Sequence, residues 1–290
     1  MHFTTLDPRL QQPVAQIPFQ HWTLPDTDPW MLFYRSKDDY LLRFPGLADY
    51  EVSADGLGVC AWPVPGVSNA TVEHLHLNQV LPLALSLQGY LVLHASAVAL
   101  DGSGIAFMAE SGRGKSTLAA SFATTGARFL TDDALHLEWV DGHCRIEPSH
   151  PSVRLWEDSQ EALMDALVER APQVGYTEKE RFLAGRGLDF CDTSQVLRRV
   201  YFLGDGSAAA VSIHAVRPAE AFMELVKHSF LLDIQDEKLL AWHFGEITRL
   251  AELPIFYRLD YPRHYEQLPA VRAAIRSHAF ETAPGELACA

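Results

Sequence analysis

Between Trp30 and Pro65 the chain alternates short mixed segments, WMLFYRS, DYLLRF, YEVSAD and VCAWPV, with glycine and proline punctuation, which predicts short strands of a small sheet. Residues 75–88, LHLNQVLPLALSLQ, carry apolar positions at helical spacing. The texture then changes. YLVLHASAVAL, an Asp101-Gly102 turn and IAFMAE predict a hairpin of two buried strands, the second running straight into SGRGKST. Lys115 to Thr125 is predicted to be helical, with Leu118 and Phe122 four apart, alanines between them and Gly126 where the chain must leave the helix. ARFLT follows as a strand ending in Asp132-Asp133, and ALHLEWV and CRIEP make a further strand pair across Asp141-Gly142. Helices are predicted at 157–169, at 219–231 with Phe222, Leu225, Val226 and Phe230 on one face, at 237–252 and at 264–278. Strands at 198–203, AAAVSIHAV and PIFYRL complete an α/β order. The expected division is an N-terminal β-rich accessory region at 1–88, a core at 89–280 and a flexible tail at 281–290.

Composition narrows the classes. With 290 residues and 48% apolar content the chain has material for a real core, which sets disorder aside. A net charge of −14 leaves no footprint for non-specific binding to nucleic acid or to an anionic membrane. The start, MHFTTLDPRLQQPV, lacks the basic residues and apolar run of a secretory signal, so a cytoplasmic location is expected. The apolar tract Val80 to Leu100 is interrupted by Pro82, Gln88, Gly89 and His94 and is expected to be core helix plus strand rather than a membrane span. Cys60, Cys144, Cys191 and Cys289 are far apart, with no C-x-x-C spacing, and are expected to be reduced thiols.

Candidate chemistry concentrates around SGRGKST. A loop of closely spaced glycines that opens a helix turns several backbone N–H groups toward one point, where the helix dipole also favours an anion. The stretch matches G-x-x-x-x-G-K-[ST] except that Ala109 stands at the first glycine. Ser111, Gly112, Arg113, Gly114, Lys115, Ser116 and Thr117 are therefore the expected nucleotide-binding residues. Lys115 would reach the β/γ-phosphates, and the Ser116 hydroxyl would hold Mg²⁺. Asp132 and Asp133 follow on the next strand, where adjacent side chains face opposite ways unless the backbone turns. One of these carboxylates can serve the metal while the other takes a proton from an attacking hydroxyl. His94, in the strand before the loop strand, is by residue type alone a core histidine.

The stretch LHASAVALDGSGIAFMAESGRGKSTLAASFATTGARFLTDDALHLE resembles the catalytic core of HPr kinase/phosphorylase, the bacterial protein-serine kinase whose nucleotide fold is similar to that of phosphoenolpyruvate carboxykinase. The likeness includes spacing, with His94 21 residues before Lys115 and Asp133 18 after it. It implies an α/β fold with a P-loop nucleotide-binding core, here with a small N-terminal β-rich region. It also implies Gly112, Gly114 and Lys115 around phosphate, Ser116 and Asp132 on Mg²⁺, Asp133 as general base and His94 beside it in the catalytic site, with Lys115 also catalytic. The family's second signature, built around L-E-[IV]-R-G, is replaced by PSVRLWEDS, where Arg154, Glu157 and Asp158 are the nearby charged residues. RLW, KHSF and YRLDYPRHYEQLP resemble divergent relatives, some of which accompany lasso-peptide maturation and phosphorylate a serine of a precursor peptide.

Phosphoryl transfer also needs cations near the developing charge. Arg113, Arg154, Lys227 and Arg263 are the positions to inspect, each taken singly reading as a surface cation. His74 and His76 diverge if their segment is helical, and Trp139, Trp156 and Trp242 read as core or rim. The expected protein is an ATP- and Mg²⁺-dependent kinase acting on a serine of a small protein or peptide, with no nucleic-acid or membrane partner and with self-association left open. A nucleotide-binding regulatory or scaffold protein without phosphotransfer, and a small-molecule kinase, are the alternatives.

Overall fold

The computed structural model describes residues 1–23, 28–37, 39–164, 168–177, 179–185 and 187–281. It is a mixed α/β structure with several sheets, and the chain divides into two units. The first comprises Met1–Val92 with Pro172–Glu178 and Phe230–His243; the second comprises Leu93–Ala171, Lys179–Ser229 and Phe244–Ala290.

Two-residue alternation is clearest in the first unit at Asp39–Phe44 and Gly58–Pro63. The predicted short strands are β3 (Pro29–Ser36), β4 (Asp39–Phe44), β5 (Ala48–Val52) and β6 (Gly58–Pro63); they pair antiparallel, and Phe33, Leu42, Phe44 and Tyr50 are fully buried on them. Two short strands missed from the sequence, β1 (His2–Thr5) and β2 (Gln20–Thr23), extend the sheet to the order β1-β6-β5-β4-β3-β2. Their brevity and mixed composition leave little periodic signal.

The helix expected at 75–88 begins earlier and is interrupted. Helix α1 (Asn69–Leu75) starts at Ser68, whose side chain accepts a hydrogen bond from the Thr71 N–H. A π turn at His76–Val80 follows, and then α2 (Leu81–Leu87), with Pro82 in its first turn. Gly56, at φ +69, lies so close to α2 that a Cβ would stand 2.3 Å from the Ala84 carbonyl oxygen. Strand β7 (Leu91–Leu93) follows.

In the second unit the predicted hairpin is β8 (Ala95–Leu100) and β9 (Ser103–Met108), joined through Asp101 and Gly102, both at positive φ as a tight primed turn requires. The first strand does not run through from Tyr90, as expected: it breaks at His94, a bend between β7 and β8. Helix α3 (Lys115–Ala123) closes at Gly126, φ +100, with the Ala127 N–H donating back to the Phe122 carbonyl. Strands β10 (Arg128–Thr131), β11 (Leu135–Val140) and β12 (His143–Glu147) stand where expected. Strands β13 (Ser152–Leu155) and β14 (Glu180–Leu183), which the sequence did not suggest, make a separate pair.

Helix α4 (Glu157–Leu163) is shorter than predicted, because Met164 is already extended; the remainder of the expected helix includes 165–167, outside the described residues. Strand β15 (Gln195–Leu203) runs parallel both to β9 and to β17 (Phe256–Asp260), and β16 (Ser212–Ala215) pairs with β17. Helix α5 (Pro218–Lys227) ends before Phe230, which therefore does not share a helical face with Phe222, Leu225 and Val226. Helices α6 (Glu237–Ala251) and α7 (Leu268–Phe280, after a 3-10 turn) match expectation. The core of this unit joins Phe107, Phe122, Phe129 and Tyr201 to Leu118 on α3 and to Val271 and Ile275 on α7. Burying a side chain such as Phe122 contributes about 1.5–3 kcal/mol, so this contact fixes α3 against the sheet. Of the expected tail at 281–290, residues 282–290 lie outside the described residues, Cys289 among them; Cys60, Cys144 and Cys191 are free thiols.

Candidate functional site

Parallel strands β9 and β15 bring their C-terminal ends to the same side of the sheet, where open α/β sheets take ligands. The loop from Ala109 to Gly114 leaves β9 there and enters α3 directly. Gly112 and Gly114 have φ +77 and +88, a conformation that a side chain at either position would strain. Gly114 also serves as N-cap, and no side chain caps the helix. The first N–H groups of α3 are thus left without the hydroxyl or carboxylate that ordinarily occupies them.

Lys115, only 5% exposed, folds its ammonium back across the loop to the carbonyls of Ala109 (2.9 Å) and Glu110 (3.3 Å). Burial pulls its pKa below the usual lysine value, against the opposing pull of Asp133 and Asp132. Ser111 is exposed at the loop tip. Arg113 reaches the Asp205 carbonyl at 3.4 Å and lies 3.5 Å from Glu110.

Ser116 donates to Asp132 Oδ1 at 2.8 Å, and the same oxygen accepts from Ser96 at 2.6 Å, while the Arg154 N–H donates to Oδ2 at 3.1 Å. Asp133 solves the problem of opposite-facing neighbours by leaving the strand conformation: its φ is +69. Its carboxylate forms an ion pair with the Arg154 guanidinium, and His94 Nδ1 lies 3.9 Å from the other oxygen and 3.1 Å from the Asp133 backbone carbonyl. His94 is further held by its N–H, which donates to the His228 carbonyl at 2.6 Å.

The two carboxylates are pushed apart electrically. Burial and the neighbouring Asp133 raise Asp132. Burial would raise Asp133 as well, but the surrounding cations, Arg154 foremost and Lys179 with it, together hold that group well below the usual carboxylate range. Desolvation, followed by Lys115, pushes His94 down to about 4. Since His94 is then neutral at ordinary pH, Arg154 and not the imidazole is the cation that secures Asp133.

The structure therefore brings Lys115, Ser116, Asp132, Asp133 and His94 together, with Gly112 and Gly114 shaping the loop. Arg154 departs from the surface-cation expectation: its side chain is 13% exposed and bound into this cluster. Lys227 instead pairs with Glu224, and Arg263 donates to the Gly204 carbonyl at 2.8 Å. Thr117 turns to Ser159 (3.0 Å), which in turn meets the Tyr265 hydroxyl (3.0 Å). Ser96, Ser159 and Tyr265 were missed from the sequence. Ser96 alone left a trace there, as a hydroxyl inside an otherwise apolar strand.

His74 pairs with the Tyr176 hydroxyl and His76 stacks on Phe3 at 3.8 Å, both within the first unit. Trp156 is an exposed rim residue and Trp139 lies under Arg249.

Among the described residues no group of three or more His, Cys, Asp or Glu side chains is arranged to hold a metal ion. Ser116 and Asp132 nonetheless fit Mg²⁺ held partly by phosphate. They are two hard oxygen donors in mutual contact, and Mg²⁺ ordinarily takes only one or two protein ligands beside phosphate and water. No helix among the described residues is long and apolar enough to cross a membrane.

No family model matches this chain, and no curated protein matches it in sequence. Among solved structures, the HPr(Ser) kinase/phosphatase from Coxiella burnetii bears a distant structural resemblance to it. The match has 13% identity over 55% of this chain and 96% of that one, with a TM-score of 0.27. An overlap that loose adds nothing to the site, which stands on the geometry above.

Proposed function

We propose that the protein is an ATP- and Mg²⁺-dependent kinase that transfers the γ-phosphoryl group to a serine hydroxyl of a small protein or precursor peptide, through a P-loop core within residues 89–280. The observation that carries this reading is the junction at Gly114. There an uncapped helix N-terminus, two left-handed glycines and a buried lysine that donates to loop carbonyls converge beside the Ser116–Asp132 pair.

In this reading the loop N–H groups and Lys115 hold the phosphates, with Ser116 and Asp132 as the residues for the metal. Mg²⁺, when bound, would offset charge on the β- and γ-phosphoryl oxygens. The acceptor oxygen forms a bond to the γ-phosphorus while the bond to the β,γ-bridging oxygen breaks and ADP leaves with that electron pair. Asp133 takes the hydroxyl proton, and His94 fixes the Asp133 backbone through its carbonyl.

A second reading has its own support. The Asp133–Arg154 ion pair occupies the proposed base, as would suit a nucleotide-binding regulatory protein that transfers nothing. Labelled ATP, incubated with the protein and candidate peptides and followed by mass mapping, separates the two. Lys115→Ala should weaken Mg-ATP binding. Asp133→Asn should retain binding and lower transfer by about 10²–10⁴-fold, the usual worth of a positioned base. Undiminished transfer by Asp133→Asn would remove the base assignment, and binding without any phosphorylated product would favour the regulatory reading.

A further inference from the structure

The ion pair that favours a silent protein also has a use in an active one. We propose that Arg154 is a two-position residue: without nucleotide its guanidinium holds Asp133, and with nucleotide it passes to the γ-phosphoryl oxygens and releases Asp133 to the acceptor hydroxyl. The inference rests on the kinase reading and adds to it a cation that stabilises the transferring group and an order of events, nucleotide before base.

The geometry behind it is a pivot. Strand β13 fixes the Arg154 backbone, whose N–H donates to Asp132 Oδ2, so the main chain is anchored to one carboxylate while the side chain grips the other. Ser116, Asp132, Arg154 and Asp133 form one continuous chain of contacts from the start of α3, and the Arg154 charge is near enough to Lys115 to help lower its pKa.

Asp133 cannot turn to water, since it is 5% exposed and committed to a left-handed backbone. A buried carboxylate left without a partner is strongly disfavoured, so Asp133 keeps its cation until the acceptor hydroxyl is there to donate to it. Among the described neighbours, Lys115 is directed to the loop carbonyls and His94 to the Asp133 carbonyl, while the carboxylate is in direct ionic contact with the guanidinium. A phosphoryl group then competes well for it. The planar fork of arginine matches phosphate oxygens as readily as a carboxylate, and the more highly charged anion attracts it more strongly.

The exchange makes a prediction that simple charge removal does not. Mg-ATP affinity is measured by calorimetry for the wild type, Asp133→Asn, Arg154→Gln and the double variant, with Arg154→Lys as the conservative replacement. Asparagine tolerates the left-handed backbone of residue 133, so that variant should fold. Asp133→Asn should bind Mg-ATP about tenfold more tightly, because nucleotide no longer competes with the carboxylate for Arg154, a coupling within the range seen for contacting residues. The gain should vanish in the Arg154→Gln background and return in the Arg154→Lys background.

An equal gain in all three backgrounds would mean that only a repulsive charge had been removed, and would overturn the exchange. Unchanged or weaker binding by Asp133→Asn alone would also overturn it, whatever becomes of the Arg154 variants. Absence of wild-type binding at millimolar Mg-ATP would instead sink the nucleotide reading, and this inference with it.

Discussion

Both units bury aspartates, and they do so in opposite ways. In the first unit Asp49 accepts from Arg43 Nε and Nη2, each at 2.8 Å, and from the Gln11 amide at 2.8 Å. Asp233, fully buried, is met by Arg35, by the Tyr40 hydroxyl and by the N–H groups of Gln235 and Asp236. Those charges are isolated from one another and closed by partners from the framework. In the second unit Asp132 and Asp133 are buried side by side, one raised and one lowered in pKa, and share their cationic surroundings with Lys115. Two adjacent buried carboxylates with pKa values pushed apart are costly in a scaffold and gather at functional sites.

The contrast can be broken by neutralising one aspartate in each unit and measuring urea unfolding. Asp49→Asn removes one partner of a closed buried pair and should cost about 3–5 kcal/mol. Asp132→Asn relieves a like-charge contact and should leave stability within about 1 kcal/mol of the wild type while impairing function, the usual trade at an active site. Equal losses would mean that the two sets of charges are alike in kind.

Much of the second unit was legible in the sequence because local rules and tertiary structure agree there. The Asp101-Gly102 turn, the loop glycines, Leu118 and Phe122 on α3 and the closing Gly126 each state one conformation. The site was legible as far as Lys115, Ser116, Asp132, Asp133 and His94. Arg154 was visible only as one of several cations, since its role depends on β13, a four-residue strand paired with a segment 25 and more residues later. No local period marks such a strand. The helix over 75–88 failed for a related reason: Ser68 supplied an earlier start, and the interruption at 76–80 is a backbone adjustment around Pro82 rather than a change of pattern.

Acid should sharpen the comparison further. His76 and His243 in the first unit are both buried, and desolvation pushes each down to about 4 from an ordinary 6.5. Their folded pKa values lie below the unfolded ones, so the unfolded chain takes up protons first as the pH falls. Stability is therefore present in full above pH 6.5 and is lost progressively toward pH 4. Between pH 7 and pH 5 the loss should be about 2 kcal/mol for each histidine. Peptide-resolved hydrogen exchange at the two pH values should show loosening in segments around 76 and 243. His76→Phe, which keeps a ring against Phe3, should reduce the slope by its share. A pH-independent first unit would contradict the burial of neutral imidazoles there.

The smallest effect concerns how the two units begin their helices. Helix α1 starts at Ser68, whose hydroxyl accepts from the Thr71 N–H at 3.2 Å, so its first turn is satisfied from within the chain. Helix α3 starts at Gly114 with no side-chain cap, and its first turn is left for something else to satisfy. Ser68→Ala should therefore cost about 1 kcal/mol, and no added anion should restore it. In the second unit the proposed cap is external: Mg-ATP should raise the unfolding midpoint of the wild type by mass action, and should do so to the same degree in Ser68→Ala, because the Ser68 hydroxyl serves the start of its own helix. If nucleotide protected the Ser68→Ala protein less than the wild type, the start of α1 would belong to the ligand-dependent part of the molecule, and the separation between a closed unit and an open one would fall.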